Sequence, residues 1–278
     1  MKSKLIVILS LLLFSSCEDK VELDIVEGDK KLVVEGGVSD QSGPYKVKLT
    51  ETQDVNSYSS EPFVSDAIVI IKENNVTVDT LVYTRDGVYE TVNLVQGVVG
   101  KTYQLYIKTS DGQEYESTPE TMPQVPGLDS LYFLTKEEIE INTFLLEGVY
   151  YPFGAFSDPA GVDNYYRYKF VINGEVQGTA ADILIFDDRF NDGQYIEENF
   201  AYELDLGDTV QLTQISTTQR RSQFLLDWRT VLTANGGPFD PPLSPLIGNI
   251  FKKGSSTEYA NGYFQATSEF TIEEVVSE

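Results

Sequence analysis

Residues 76–94 read VTVDTLVYTRDGVYETVNL, and residues 102–118 read TYQLYIKTSDGQEYEST. In both stretches, β-branched and aromatic residues alternate with polar ones on either side of an Asp-Gly pair, Asp86-Gly87 and Asp111-Gly112. Successive side chains of a strand point to opposite faces, so such a run buries one face and wets the other. Asp-Gly between two such runs favours a tight hairpin, because the turn needs residues that tolerate positive φ. Both stretches therefore predict antiparallel hairpins. Working outward, Leu32 to Gly36, Tyr45 to Leu49 and Ala67 to Lys72 read as further strands, punctuated at Ser42-Gly43-Pro44 and Glu73-Asn74-Asn75. About seven short strands in roughly ninety residues predict a sandwich of immunoglobulin-like or prealbumin-like type over residues 31–118.

Residues 119–127, PETMPQVPG, hold three prolines and a glycine and read as an extended linker. Residues 128–278 read as a larger β-rich domain. Its strand signals include Leu131 to Phe133, Asn142 to Glu147, Asn164 to Val171, Ile183 to Phe186, Tyr202 to Leu206, Asp208 to Ser216, Gly262 to Ala266 and Ser268 to Val275. One helix interrupts it. Thr217 or Thr218 can cap this helix; Phe224, Leu225, Trp228, Val231 and Leu232 recur at helical spacing, and Asn235-Gly236-Gly237 stops it. The fold class expected is all-β, a small sandwich followed by a larger β-rich domain with one packed helix.

The N-terminus has the three parts of an export signal. Lys2 and Lys4 precede a ten-residue apolar run, Leu5 to Phe14, followed by Ser15-Ser16-Cys17. A helical span needs about 20 apolar residues, so this run is too short to anchor. Small residues leading into cysteine resemble the lipobox of bacterial lipoproteins, with Phe14 where leucine is usual. Residues 1–16 are thus expected to be removed and Cys17, the sole cysteine, to become the lipidated N-terminus. No disulfide can then form within the mature chain. Residues 17–30 form an acidic tether reaching roughly 45 Å if extended. Acidic residues directly after the lipidated cysteine resemble surface-export signals of Bacteroidota lipoproteins. An outer-membrane anchor facing the cell exterior is the resulting expectation.

Without Lys2 and Lys4 the chain carries 18 basic and 44 acidic side chains, a formal charge of −26. Such a field repels phosphate backbones, which excludes nucleic acid as a partner. The chain has no histidine, which removes Ser-His-Asp and Cys-His nucleophiles and histidine zinc sites. No phosphate-binding glycine loop is present either, and no cofactor is expected. Paired carboxylates remain available to a hydrolase. The loop Asp187, Asp188, Asn191, Asp192 is the best calcium candidate, although Arg189 falls where an EF-hand ligand belongs, and turn chemistry accounts for it equally. Residues 158–164 read as another turn. Tyr150, Tyr151, Tyr165, Tyr166 and Tyr168 suit either a glycan- or peptide-binding platform or simple cross-strand packing. Phe239, Leu243, Leu246, Ile247 and Ile250 make an unusually apolar connection, either a partner contact or a flap over the second domain.

The order of short motifs resembles one family across the mature chain. After the cysteine and acidic tether come KLVVEGGV (31–38), DGVYE (86–90), GKTYQLYIKTSDGQEYES (100–117) and PGLDSLYF (126–133). RFNDGQ (189–194), GGPFDPP (236–242), IGNIF (247–251) and NGYFQA (261–266) complete it. This resembles the Bacteroidota lipoproteins classed as domain of unknown function 4249. The resemblance brings no catalytic residue. It implies an accessory of an outer-membrane TonB-dependent β-barrel transporter. The function expected is non-catalytic binding of a partner or of a small-molecule, glycan or peptide ligand. A surface adhesin or structural lipoprotein is the alternative, and a carboxylate-dependent hydrolase a third.

Overall fold

The computed structural model describes residues 29–53, 61–139, 149–234 and 244–277. Cys17, the tether up to residue 28, Phe239, Leu243 and the strand expected at 142–147 lie outside the described residues. Among the described residues no helix is long and apolar enough to cross a membrane. The chain is built of strands, as the alternation predicts.

The first half follows the turn chemistry closely. Strands β1 (Leu32–Ser39), β2 (Lys46–Glu51), β3 (Ile68–Glu73), β4 (Val76–Arg85) and β5 (Val88–Glu90) are antiparallel neighbours or near neighbours. Asn74 and Asn75 turn β3 into β4 at φ 48° and 66°, and Asp86 and Gly87 turn β4 into β5 at 51° and 77°. Paired positive φ values mark the turn type whose twist matches the strands. Strands β6 (Thr102–Lys108), β7 (Glu114–Ser117) and β8 (Glu120–Thr121) follow. The alternation in β6 is strict, with Tyr103, Leu105 and Ile107 fully buried.

The expected two-sheet sandwich is instead a closed ring. Nine strands run in the order β1-β2-β5-β4-β3-β6-β7, then β16 (Ile250–Lys252) and β17 (Tyr259–Val275), which returns to β1 in parallel. The last two come from the other end of the chain, so a count of strands within 31–118 could not reveal the closure. Ring closure leaves no strand edge exposed. Its core joins Val34, Leu49, Ile71 and Leu105 to Ile250 and Phe264. The stretch expected as a linker carries β8, which pairs with β6, and there Glu120 and Met122 are buried.

Strand β17 is 17 residues long and belongs to two sheets. Asn261 to Thr267 pair with β1, and Ser268 to Val275 pair with β15 (Thr209–Ser216). Beyond β15 lie β11 (Tyr165–Ile172) and its partners β12 (Glu175–Val176) and β13 (Leu184–Asp187). Facing this sheet is a second one of β9 (Ser130–Thr135), β10 (Tyr150–Ser157) and β14 (Tyr195–Asn199). Between them pack Phe156, Tyr166, Tyr168, Phe170, Phe200 and Leu212. A Cβ on Gly154 of β10 would stand 2.8 Å from Leu212 Cδ2, so the bare backbone sets how closely the layers meet. Tyr168 and Phe170 meet Phe200 edge-on at 4.9 and 4.8 Å between centroids, the geometry aromatic quadrupoles favour.

Helix α1 (Gln219–Thr233) begins at Thr218, whose hydroxyl accepts from Arg221 N. It rests against β11, β13 and the short 3-10 turn Ala180–Asp182. Ser222 and Leu225 are buried. Arg221, Phe224 and Trp228, at i, i+3 and i+7, make a different face, turned toward the junction of the ring with the second sheet.

Candidate functional site

A groove of about 500 Å³ follows the seam between β1 and β17, with α1 as one wall. Glycine shapes its floor. Gly262 has φ +94°, and a Cβ there would lie 2.0 Å from Val34 O. Gly248 passes so close that its Cβ would fall 1.6 Å from Gly262 O. Only backbone without side chains fits at this crossing. Beside it, fully buried Asn249 substitutes for a strand: it donates to Phe264 O at 2.8 Å and accepts from Phe264 N at 2.9 Å. The motifs IGNIF and NGYFQA thus hold one another, and they set the groove's depth.

Beneath the groove sits Glu120, 3% exposed. Its carboxylate accepts from Tyr263 Oη at 2.7 Å, Asn249 Nδ2 at 3.1 Å and Thr218 Oγ1 at 2.7 Å. The Thr118–Gly127 segment, β17 and the cap of α1 thereby meet at one buried acceptor. Burial, and then the Glu120 charge, push the Tyr263 phenol well above its ordinary range, so it stays a neutral donor.

The groove wall is aromatic and cationic. The Arg221 guanidinium lies 4.8 Å from the Tyr263 ring centre and 5.2 Å from that of Phe224. Its Nε donates to Gln265 Oε1 at 3.1 Å. Trp228, the only tryptophan, is 38% exposed beside it. Desolvation, and then the nearby Arg167 charge, push Arg221 down to about 10. Among the described residues Arg221 forms no ion pair. An aromatic cleft with a few fixed polar groups is the usual form of a small-molecule site.

A second cluster joins the two acidic turns. Oxygens of Asp158, Asp188 and Asp192 all lie within 4.8 Å of one another. Asp158 accepts from Tyr166 Oη at 2.6 Å and Gly193 N at 3.0 Å. Asp188 accepts from Asn164 N at 2.9 Å, and Asp192 from Gly161 N at 2.7 Å. Burial, then the Asp158 and Asp192 charges, raise the Asp188 carboxyl above the usual range. Oxygen donors so placed suit a hard divalent cation, and the same hydrogen bonds tie the two loops together without one. None of the three lines the groove.

The predicted residues are therefore only partly brought together. Asp188 and Asp192 join the cluster; Asp187 instead pairs with Arg189 at 2.6 Å, and Asn191 bonds through its backbone N to Asp188 O. Asp158 completes the cluster, where the sequence reads only as a turn. Leu246 lines the groove and Ile247 is 50% exposed. Ile250 corrects the expected contact surface: it is fully buried in β16, because its alternation directs it into the ring core. Tyr151, Tyr166 and Tyr168 are core residues, not a platform. Arg221 was not singled out by the sequence. The one available signal was the Arg220-Arg221 pair in the first turn after the helix cap, where acidic residues are favoured.

A search among curated proteins finds no match. The family model described as Domain of unknown function (DUF4249) matches residues 18–273. That span takes in every strand of the ring, both layers of the second half, α1 and nearly all of β17, and so this chain belongs to the DUF4249 family.

Proposed function

We propose that this chain is a non-catalytic lipoprotein, anchored through Cys17 at the outer membrane and facing the exterior, that binds a ligand or partner beside a TonB-dependent β-barrel transporter. The groove carries this reading. It presents exposed aromatic surface and an unpaired guanidinium on a floor that glycines keep open, which suits binding. The chain lacks histidine, and the described carboxylate cluster is separate from the groove, so neither a histidine base nor that cluster serves it. The apolar segment 246–247 at the groove's lip supplies a surface for the transporter.

Affinity purification of the full chain from native membranes in mild detergent tests this. A large β-barrel protein enriched over a control lipoprotein is the expected result, and Ile247→Asp weakens its recovery while the fold persists. Recovery of the lipoprotein alone would overturn the transporter reading and leave the adhesin.

A further inference from the structure

Around the first turn of α1, unfavourable electrostatic features accumulate at one place. A helix N-terminus carries partial positive charge and favours acidic neighbours, yet α1 opens Gln219-Arg220-Arg221 with no acidic residue in its first turn. Arg220 is held by Thr118 Oγ1 at 3.1 Å. Arg221 turns into the groove without an ion pair. Arg167, on β11 beneath the helix, has a buried Nε that meets no acceptor among the described residues, and desolvation lowers its pKa too. Lys169 adds a further positive charge nearby.

Glu120, Glu35 and Glu269 act on this cluster without a direct ion pair to it. Glu120 is already engaged by its three donors. Glu35 and Glu269 line the groove, and neither forms an ion pair with Arg167, Lys169 or Arg221. Lys46, also on the lining, is paired with Glu90 at 3.4 Å. Among the described arginines only Arg189 forms an ion pair; what sets Arg221 apart is that it lines the groove. Departures from local rules of this kind concentrate at functional sites.

We infer that the groove binds an organic carboxylate: its anionic group sits on Arg221 at the N-terminus of α1, and its apolar body lies against Phe224, Trp228 and Leu246. A guanidinium fork matches a carboxylate in a two-bond arrangement, and the helix terminus adds its own attraction. The aromatic wall then recognises what the carboxylate is attached to. This rests on the reading of the groove as a ligand site and specifies the ligand's class.

Trp228 supplies the assay, because the only tryptophan lines the groove. Its fluorescence is followed while the full mature chain is titrated with benzoate, octanoate or 4-phenylbutyrate, and with 4-phenylbutyramide as the uncharged match. At least one carboxylate should give a saturable change, with the amide roughly tenfold weaker or worse. Arg221→Gln should abolish that preference, and Arg221→Lys should restore part of it, since it keeps charge but loses the fork. Thermal unfolding of both variants checks that they remain folded; the inference survives only if the loss of preference occurs in folded protein, and a Glu269→Gln variant that strengthens carboxylate binding supports it independently. Equal binding of amide and carboxylate, saturable carboxylate binding unchanged by Arg221→Gln, or no saturable response to any of the three carboxylates overturns it. A transporter recovered from membranes alongside any of those results leaves the proposed function standing and removes only the ligand class.

Discussion

Glu120 should be among the costliest polar side chains to remove. Its carboxylate is the common acceptor of Tyr263, Asn249 and Thr218, and it is 3% exposed. Glu120→Ala leaves the Tyr263 hydroxyl and one Asn249 amide hydrogen without acceptors in a buried setting; Thr218 is partly exposed and finds water. At about 2 kcal/mol for each buried bond to a charged acceptor, the loss is about 4 kcal/mol. Relief from burying the carboxylate returns about 1 kcal/mol, for a net cost of about 3 kcal/mol. For a chain of this size the melting temperature falls by roughly 6–12 °C. Glu120→Gln keeps one acceptor and should cost about 1 kcal/mol. Urea unfolding followed through Trp228, with Tyr263→Phe and the double variant, completes a cycle. Once Glu120 is gone, removing the orphaned Tyr263 hydroxyl should cost almost nothing, so the coupling is about 1.5 kcal/mol. A Glu120→Ala cost below about 1 kcal/mol, or strict additivity with Tyr263→Phe, would refute the claim that this carboxylate ties helix, seam and connecting segment together.

Three further outcomes follow from particular residues. Cys17→Ser should abolish acylation and membrane retention, read by intact-mass analysis of the membrane fraction; an unacylated mature N-terminus in the unmodified protein would contradict the lipobox. Gly262→Ala forces a Cβ against Val34 O at positive φ and should destabilise by at least about 3 kcal/mol, whereas Gly174→Ala, in open space, should cost about 1 kcal/mol; equal costs would contradict the close β1–β17 crossing. If the loops of Asp158, Asp188 and Asp192 are held by their own hydrogen bonds, a chelator should leave the melting temperature unchanged; a cation at a hundredfold its dissociation constant would stabilise by about 2.7 kcal/mol, so a drop of several degrees would reveal one.

The sequence was most readable where local chemistry decides. Asn74-Asn75 and Asp86-Gly87 need positive φ, and their turns stand where expected. Thr218 caps the helix because its hydroxyl reaches a free backbone N–H, another local event. What escaped reading is non-local. No feature of Ile250 or Phe264 announces that they fill a core begined at Val34, more than two hundred residues earlier. Strand β10, Tyr150–Ser157, contains Pro152 and Gly154, residues that ordinarily argue against a strand interior, and only the facing Leu212 gives Gly154 a reason. The Asn173-Gly174 pair, which turns β11 into β12 at φ 52° and 81°, is local turn chemistry of the same kind as Asn74-Asn75 and Asp86-Gly87. The groove was hidden for the same reason as the ring: its floor joins residues 33–39 to residues 261–269, and Arg221 meets them only through the fold.

The most direct test of the central claim is a contact made in the living cell. A photo-reactive amino acid placed at Ile247, half-exposed at the groove's lip, should crosslink the lipoprotein to a large outer-membrane β-barrel protein. The same group at Val176, exposed on β12, serves as the control for random encounter. A barrel adduct from position 247 that is absent or far weaker from position 176 is the predicted result. No adduct from position 247, or equal adducts from both, would contradict a specific partnership with a transporter.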